Sequence, residues 1–310
     1  MPERKFKVGK MFLAGVAIVL LVVCVYKTIE LSRRSTPPPL PNPNGYDDFV
    51  KAARLLLATE PAVGNPGDPS LSQKRLRELI LTNAESLRLV KQGLSWTTRV
   101  PVEYSAQYLT THASDLGAMK LLVHLLIAEG RLAEMEHRTN DAAEFYLEGI
   151  RYGEEAFRGG VMIDRLVGIA CQALAMRWLQ KAVAGLDSET CRSAIRTLRD
   201  IDRRQEPMRS VLNNEREWIR RTFSLWRRLP SMIPIPSMNP MIRAKKQFVA
   251  NCDHVELELR QLMIDLAARA YELEHSQNPK NLNDLVPDYL DSIPTDPTTA
   301  TNLTYLPHPP

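Results

Sequence analysis

Glutamate precedes histidine by three residues at two places in the sequence, and this spacing puts both side chains on one face of a helix. In di-iron helical bundles, two such pairs are joined by one glutamate from each of two further helices. The residues that match this pattern are Glu134 with His137, Glu272 with His275, and Glu103 with either Glu256 or Glu258. Both pairs stand before turn-forming sequence, which favours histidines at helix C-termini, where histidine interacts favourably with the last carbonyls. We therefore predict no metal site from these pairs.

A further pair, His254 and Glu258, is separated by one helical turn and lies beside Cys252 and Asp253. These residue types could bind a metal, but an isolated helical pair does not by itself predict a metal site. The sequence also lacks the phosphate-binding loop, the nucleophile elbow, the zinc-protease motif and the dinucleotide-binding fingerprint. We therefore predict no catalytic, cofactor-binding or metal-binding residues and no cofactor. The sequence favours a protein that is not an enzyme, without deciding the point.

Composition and charge narrow the class of protein. The 310 residues are 44% hydrophobic and 25% charged, as is ordinary for a folded chain. Seven lysines and arginines against two glutamates give residues 1–34 a net charge of +5, which leaves −1 of the total +4 for residues 35–310. A body so close to neutrality lacks the basic surface of a nucleic-acid-binding protein, so we predict no nucleic-acid partner. The four cysteines, Cys24, Cys171, Cys191 and Cys252, are too widely spaced for a disulfide framework or a paired-cysteine zinc site.

The N-terminal segment predicts a membrane anchor. Residues 11–26 carry no charge, and these sixteen residues are slightly fewer than the ~20 that span a bilayer core. Lys10 and Lys27 flank the segment and are long enough to reach the two interfaces with their ammonium groups. A cleaved signal peptide is the alternative, but no small-residue cleavage site follows, and Val23 stands where a lipoprotein signal needs a small residue before Cys24. We predict an uncleaved signal anchor that contacts the lipid bilayer through residues 11–26.

Composition divides the chain into four regions. Residues 1–34 hold the N-terminal tail and the transmembrane signal anchor, and residues 35–45 contain five prolines in eleven positions, which predicts a semi-rigid stalk. Residues 46–276 are predicted to form an α-helical body, and residues 277–310 a proline-rich, irregular C-terminal tail. Slightly more basic residues precede the anchor than follow it. We therefore predict a single-pass protein of the cytoplasmic membrane with its body on the extracytoplasmic side.

The body shows helical periodicity and no alternating strand pattern, so we predict an all-α fold. One long helix is predicted over residues 105–137, and Thr139 begins another that ends at Gly159. A basic helix is predicted to begin at Leu186 and to continue to about Leu229, with a kink at Pro207.

The most apolar helix of the body is predicted over residues 161–183, and we expect it at the centre of the core. Asp164, Arg165 and Gln172 interrupt its apolar pattern and argue against a second membrane span. The apolar residues that we expect to be buried are Ile163, Leu166, Val167, Ala170, Leu174 and Leu179.

Residues 126–154 have small and aromatic residues at regular positions. Gly130, Ala142 and Gly149 are small, and Tyr146 is the aromatic residue between the last two. In this spacing the segment resembles a single tetratricopeptide unit. No second copy lies one repeat length away in either direction, and several units are normally needed to bury a continuous core. The resemblance implies a repeat-like helical hairpin.

The C-terminal region combines a helix end with spaced prolines and leucines. The residues that form this layout are Tyr271, Glu274, His275, Pro279, Leu282, Leu285, Val286, Pro287, Tyr289, Pro294, Asp296, Pro297 and Tyr305. With this layout it resembles the tails of an uncharacterised family of bacterial membrane-anchored helical proteins, and is similar to type II secretion pseudopilins. Ala300 replaces a glycine usual in that family, and residues 9–14 lack the glutamate of a pseudopilin processing site. The resemblance implies a protein of the cell envelope, without a particular activity.

Three functions remain compatible with the sequence. The first is a membrane-anchored α-helical scaffold or interaction protein of the cell envelope, with a protein as its partner. The alternatives are a membrane-tethered enzyme whose site is assembled from scattered residues, and a pseudopilin-like secretion component. A pocket that gathers titratable side chains would favour the enzyme. A groove lined by apolar and arginine side chains would favour the scaffold, and a small αβ head would favour the pseudopilin.

Overall fold

The structure is a computed structural model that describes residues 20–25, 38–57, 68, 71–223 and 240–304. The chain divides into two units, Met1–Pro39 and Leu40–Pro310. In the first unit, residues 20–25 are helical and their apolar side chains are exposed. The rest of the predicted anchor over residues 11–26 lies outside the described residues. Within the part of the chain that the structure describes, no helix is long and apolar enough to cross a membrane.

The unit Leu40–Pro310 is helical wherever it has regular structure, which confirms the all-α prediction for the described residues. Its α-helices are α1 (Gly45–Leu57), α2 (Gln73–Thr82), α3 (Ala84–Ser95), α4 (Tyr108–Met135), α5 (Thr139–Glu155), α6 (Met162–Ala182), α7 (Ser188–Arg204), α8 (Met208–Thr222) and α9 (Pro240–His275). Short 3-10 turns lie at Val183–Gly185 and Leu282–Leu285. Among these residues, strand-like pairing is limited to one isolated bridge between Thr295 and Asn302.

Close helix contacts at glycines set the spacing of the central helices. Helix α5 packs along α4 and α6, α9 packs along α7 and α6, and α1 lies against α3 and α4. A Cβ atom on Gly130 of α4 would overlap the ring of Tyr146 of α5. A Cβ atom on Gly149 of α5 would lie only 2.9 Å from the Cβ atom of Ala175 of α6. Larger residues at these two positions would therefore push the three helices apart.

Helix α6 lies in the core as predicted, but the buried face differs from the predicted one. Of the residues expected to be buried, Leu179 is buried, Leu166, Val167 and Leu174 are half-buried, and Ile163 and Ala170 are exposed. The buried face instead includes Asp164, Arg165 and Gln172. The prediction was wrong because these polar side chains find hydrogen-bonding partners on neighbouring elements, which removes the penalty for burying them.

The basic region after Leu186 forms two helices and not one kinked helix. Asp187 caps α7 by accepting a hydrogen bond from the backbone N–H of Thr190 at 2.8 Å. Helix α8 begins directly after Pro207. Proline cannot continue a preceding helix but is well tolerated where a helix starts. The predicted end of the helix near Leu229 lies outside the described residues.

The described part of the C-terminal tail packs against the body. Its buried residues are Pro279, Leu282, Leu285, Tyr289 and Leu290. Glu274, near the end of α9, lies 2.7 Å from Arg192 of α7 and accepts a hydrogen bond from the Tyr289 hydroxyl at 2.6 Å. Hydrogen bonds from Arg192, Ser188 and Tyr289 hold the pKa of Glu274 well below its usual range. Burial and the bond to Glu274 raise the pKa of Tyr289 to about 12. The tail is thus bonded to α9 through Glu274, and Asp291 ties it to α7 by ion pairs with Arg199 and Arg203.

Candidate functional site

A pocket with a volume of about 620 Å³ is formed by α1, the loop before α4 and the first turns of α4. Its lining combines both signs of charge with phenol and imidazole rings. The polar residues that line it include Tyr46, Arg54, Glu103, Tyr108, His112 and Asp115. A pocket of this size accommodates a small molecule.

In the wall of this pocket, His112 of α4 contacts Asp164 of α6. Nε2 of His112 lies 2.5 Å from Oδ1 of Asp164, and the two side chains are only 6% and 0% exposed. The other oxygen, Oδ2, accepts a hydrogen bond from the backbone N–H of Val161 at 2.8 Å at the start of α6. The amino end of a helix stabilises a carboxylate. The fold therefore pairs an imidazole with a helix-capping carboxylate that is 52 residues away in sequence.

The contact with Asp164 determines which nitrogen of His112 carries the proton. A carboxylate only accepts hydrogen bonds, so the neutral imidazole donates from Nε2 and keeps its lone pair on Nδ1. This tautomer is assigned from the hydrogen bond. A pocket-lining imidazole with a buried carboxylate behind it has the arrangement of a general base. The carboxylate orients the ring and stabilises the imidazolium that forms when Nδ1 takes up a proton.

Two tyrosines adjoin this pair. The ring of Tyr108 stacks on the ring of His112 one turn along α4, with centroids 4.6 Å apart. The hydroxyl of Tyr108 is buried and has no hydrogen-bond partner among the described residues. Burial, followed by the negative charge of Asp164, raises the pKa of both Tyr46 and Tyr108 well above the usual range. Both phenols therefore stay protonated and keep an O–H group to donate.

The loop before α4 is held in place from two sides. Asn44, directly before α1, donates a hydrogen bond to the carbonyl of Arg99 at 2.9 Å and accepts one from its N–H at 3.0 Å. Trp218 of α8 donates from Nε1 to the carbonyl of Glu103 at 3.1 Å. The Trp218 ring also packs against Tyr108, with centroids 6.4 Å apart. These contacts fix the loop relative to α1 and α4, so the pocket is built before any ligand binds.

The mouth of the pocket carries charges of both signs. Lys51 and Arg54 lie on α1, whereas Asp115 lies on α4 and Glu103 on the loop. Nη2 of Arg54 lies 3.8 Å from Oδ2 of Asp115, and the two side chains are 70% and 35% exposed. An ion pair this long and this exposed is weak. Both charged groups are therefore accessible to a ligand.

A second buried charged cluster surrounds Glu154 of α5, which is 2% exposed. Its Oε2 accepts hydrogen bonds from Arg165 and Gln172 of α6. Its Oε1 accepts one from Arg158 at 3.0 Å and one from the backbone N–H of Glu206 at 2.8 Å. Each carboxylate oxygen is thus bonded twice, and the cluster joins α5, α6 and the segment between α7 and α8. A buried charge whose bonding capacity is used up in this way holds the helices together.

The glutamate–histidine pairs lie at helix ends, as their sequence context predicts. Helix α4 ends two residues before His137, and α9 ends at His275. His254 lies 3.4 Å from Glu258 with its side chain 68% exposed. Among the residues that the structure describes, no group of three or more His, Cys, Asp or Glu side chains could hold a metal ion. Glu103, one of the two further glutamates in the sequence pattern, lines the pocket.

The sequence patterns do not reveal the pair at the pocket. Tyr108 and His112 are spaced to share one face of a helix, and Asp164 follows a glycine break at a helix start, where an acidic cap is common. Both signals are local. Neither of them says that the start of α6 meets the first turns of α4, so the pairing of His112 with Asp164 has no sequence signature.

Comparison with known proteins adds no family to this description. No protein-family model, no curated protein and no solved structure matches the chain. The chemistry of the pocket therefore carries the functional proposal by itself.

Proposed function

We propose that this protein is a membrane-tethered enzyme that moves protons on a small polar substrate bound beside His112. The observation that carries the proposal is the buried contact of 2.5 Å between His112 and Asp164 in the wall of a pocket of about 620 Å³. Burying such a pair costs free energy that an apolar pair of similar volume would not cost. A catalytic use of the imidazole explains why the fold keeps it. Of the functions considered from sequence, this is the enzyme assembled from scattered residues.

The arrangement supports a specific division of roles. Nδ1 of His112 accepts a proton from the substrate or from a water that it activates, and Asp164 stabilises the imidazolium. The protonated hydroxyl of Tyr46, a residue of the pocket lining, is available to donate a hydrogen bond to a substrate oxygen that gains negative charge. A correctly positioned general base contributes about 10²- to 10⁴-fold to a rate.

The experiment compares turnover of the full-length protein with turnover of three variants. The substrate panel covers esters, amides, phosphoesters and glycosides with chromogenic leaving groups. His112→Asn and Asp164→Asn should each lower turnover by at least about 100-fold. His137→Asn is the control, because His137 is exposed near the end of the same helix. Turnover that survives both pocket substitutions, or no turnover with any class of substrate, would reject the proposal.

A scaffold or interaction function is the second candidate, and a groove along the first half of α9 favours it. The groove has a volume of about 580 Å³, and its lining includes Ile242, Val249 and Leu257 with Lys245 and Lys246. An apolar groove with a basic rim suits an acidic amphipathic helix of a protein partner. The basic residues of this groove are lysines, whereas the sequence analysis expects arginines in the groove of a scaffold. A pseudopilin-like component has less support, because the described residues contain no αβ head.

The membrane location remains a proposal supported by the sequence of residues 11–26. The full-length protein should sediment with membranes and resist carbonate extraction, with its body on the extracytoplasmic side. Deletion of residues 1–34 should release the protein from the membrane. A full-length protein that stays in the supernatant, with its N-terminus after Tyr26, would replace the anchor with a cleaved signal peptide.

A further inference from the structure

The charges around the pocket are arranged as two opposite sets. The cationic set, Lys51 and Arg54, lies on α1, and both residues line the pocket. The anionic set comprises Glu103 on the loop, Asp115 on α4, and Asp47 on α1, one turn before Lys51. A purely anionic ligand would meet three carboxylates, and a purely cationic ligand would leave both basic groups without a partner. A ligand with both signs of charge satisfies both sets.

Among the described residues, these charges do not neutralise one another in strong ion pairs. The contact between Arg54 and Asp115 is 3.8 Å long, and the guanidinium-bearing side chain is 70% exposed. Neither group would lose much by exchanging this contact for a ligand, since exposed pairs contribute little to stability. The pocket therefore has both a positive and a negative group free to bind.

Deeper in the lining, uncharged hydrogen-bonding groups replace the charges. Tyr108 is 3% exposed, and its buried hydroxyl lacks a hydrogen-bond partner among the described residues. This hydroxyl is closed off from the pocket, whereas the imidazole of His112 lines it. The imidazole suits a polar, uncharged group of a ligand, such as a carbonyl, and not a second ionised end.

From this arrangement we infer that the substrate is a small zwitterion with a free ammonium and a free carboxylate, the class of amino acids and short peptides. The inference rests on the proposed enzymatic function, because it names the substrate of the same pocket. The carboxylate of the ligand binds Arg54 and Lys51. The ammonium binds Asp115, Glu103 and Asp47. In a dipeptide, the peptide group between the two charged ends then lies toward His112, and a pocket of about 620 Å³ accommodates such a molecule.

The test is calorimetric titration of the full-length protein with free amino acids and a set of dipeptides. The tightest of them is then compared with its N-acetyl derivative, which has lost the cation, and with its carboxamide, which has lost the anion. Each blocked form should bind about tenfold more weakly, the expected loss for one charge-assisted contact.

Pocket variants assign each end of the ligand to its partner. Arg54→Gln should weaken binding of the free zwitterion about tenfold but leave binding of the carboxamide unchanged. Asp115→Asn should weaken binding of the zwitterion and of the carboxamide but not of the N-acetyl form. Arg209→Gln and Asp200→Asn are the matched controls, because both residues are exposed and lie outside the pocket lining. Both controls should bind the zwitterion as the unmodified protein does.

Equal affinity for the zwitterion and both blocked forms, or no binding of any free amino acid or dipeptide, would overturn the inference. If this happens while turnover still depends on His112, the enzyme proposal stands with another class of substrate. If the zwitterion binds as expected but no turnover depends on His112, the pocket is a binding site, and the enzyme proposal is the one that fails.

Discussion

Asp164 and Arg165 are neighbours in α6, and each makes a buried charged contact, but the surroundings of the two contacts differ. Arg165 donates to Glu154, whose oxygens accept further hydrogen bonds from side chains and from the backbone. Asp164 is bonded to His112, whose ring lines an open pocket and whose Nδ1 carries a lone pair. Burial is nearly complete in both cases, so burial does not distinguish them.

The two sites differ in whether their polar atoms still have hydrogen bonds to make. Around Glu154, two oxygens make four hydrogen bonds, and this network ties three parts of the body together. Beside Asp164, the Tyr108 hydroxyl is buried without a hydrogen-bond partner among the described residues, and His112, which donates to Asp164 from Nε2, keeps a lone pair on Nδ1 in a ring that lines the pocket. Buried polar groups are normally satisfied, so unused capacity beside a cavity indicates a ligand site. The first site is therefore interpreted as structural and the second as functional.

The largest effect on stability is expected from opening the Glu154 network. Glu154→Gln removes the negative charge from a site 2% exposed and takes away the counter-charge that is bonded to the buried Arg165 guanidinium. Breaking a buried ion pair from one side costs about 3–5 kcal/mol. A urea titration monitored by circular dichroism measures this loss in the free energy of unfolding.

Glu144→Gln is the matched control for this substitution, because Glu144 is an exposed residue of the same helix α5. It should change the free energy of unfolding by less than about 0.5 kcal/mol. Equal losses for the two variants would show that the Glu154 network does not hold the helices together.

Asp164→Asn should have a smaller effect on stability and a larger one on activity. The amide oxygen still accepts the hydrogen bond from the N–H of Val161, so the helix cap is kept. We expect a loss of about 1–2 kcal/mol in the free energy of unfolding, the cost of one weakened buried hydrogen bond. Because the amide no longer stabilises the imidazolium of His112, turnover should fall by at least about 100-fold. A variant that is as unstable as Glu154→Gln yet still active would reverse our interpretation of the two sites.

Most of the helices could be predicted from the sequence because their signals are local. Helix α4 is predicted over residues 105–137 and forms at Tyr108–Met135, and α6 is predicted over 161–183 and forms at Met162–Ala182. Apolar periodicity, glycine breaks and acidic caps act within one or two turns, so a sequence displays them directly.

The buried face of α6 and the candidate site could not be predicted in the same way. Asp164 interrupts an apolar pattern in sequence, yet it is 0% exposed, whereas the apolar neighbour Ile163 is 40% exposed. The burial of Asp164 depends on a histidine 52 residues away. A polar residue enters a core only where a partner meets it, and the identity of that partner is set by tertiary packing, which leaves no local pattern.

Glu215 makes the stability of the protein depend on pH at the start of α6, close to Asp164. Glu215 of α8 accepts a hydrogen bond from the N–H of Met162 at the start of α6, at 3.0 Å, and burial raises its pKa above the usual range. The ionised form is therefore penalised in the folded protein. Glu215→Gln keeps an acceptor oxygen and removes the charge, so it should stabilise the protein slightly, by up to about 1 kcal/mol at neutral pH.

The sign of this effect follows from linkage. The penalty is complete above the folded-state pKa, shrinks as the pH falls through that value, and vanishes below the unfolded-state pKa. The difference in unfolding free energy between Glu215→Gln and the unmodified protein should therefore decrease as the pH is lowered. A difference that increases toward low pH would mean that the carboxylate stabilises the start of α6.

The smallest effect on stability is expected at the mouth of the pocket. Arg54 contacts Asp115 at 3.8 Å with 70% of its side chain exposed, so solvent and salt screen the pair. Arg54→Gln should change the free energy of unfolding by less than about 0.5 kcal/mol, measured by the same urea titrations. The same substitution is nevertheless expected to weaken zwitterion binding. Arg54 would then contribute to ligand binding and not to stability, whereas Glu154 contributes to stability. If Arg54→Gln instead destabilised the protein by as much as Glu154→Gln, the charges at the mouth would belong to the scaffold of the body.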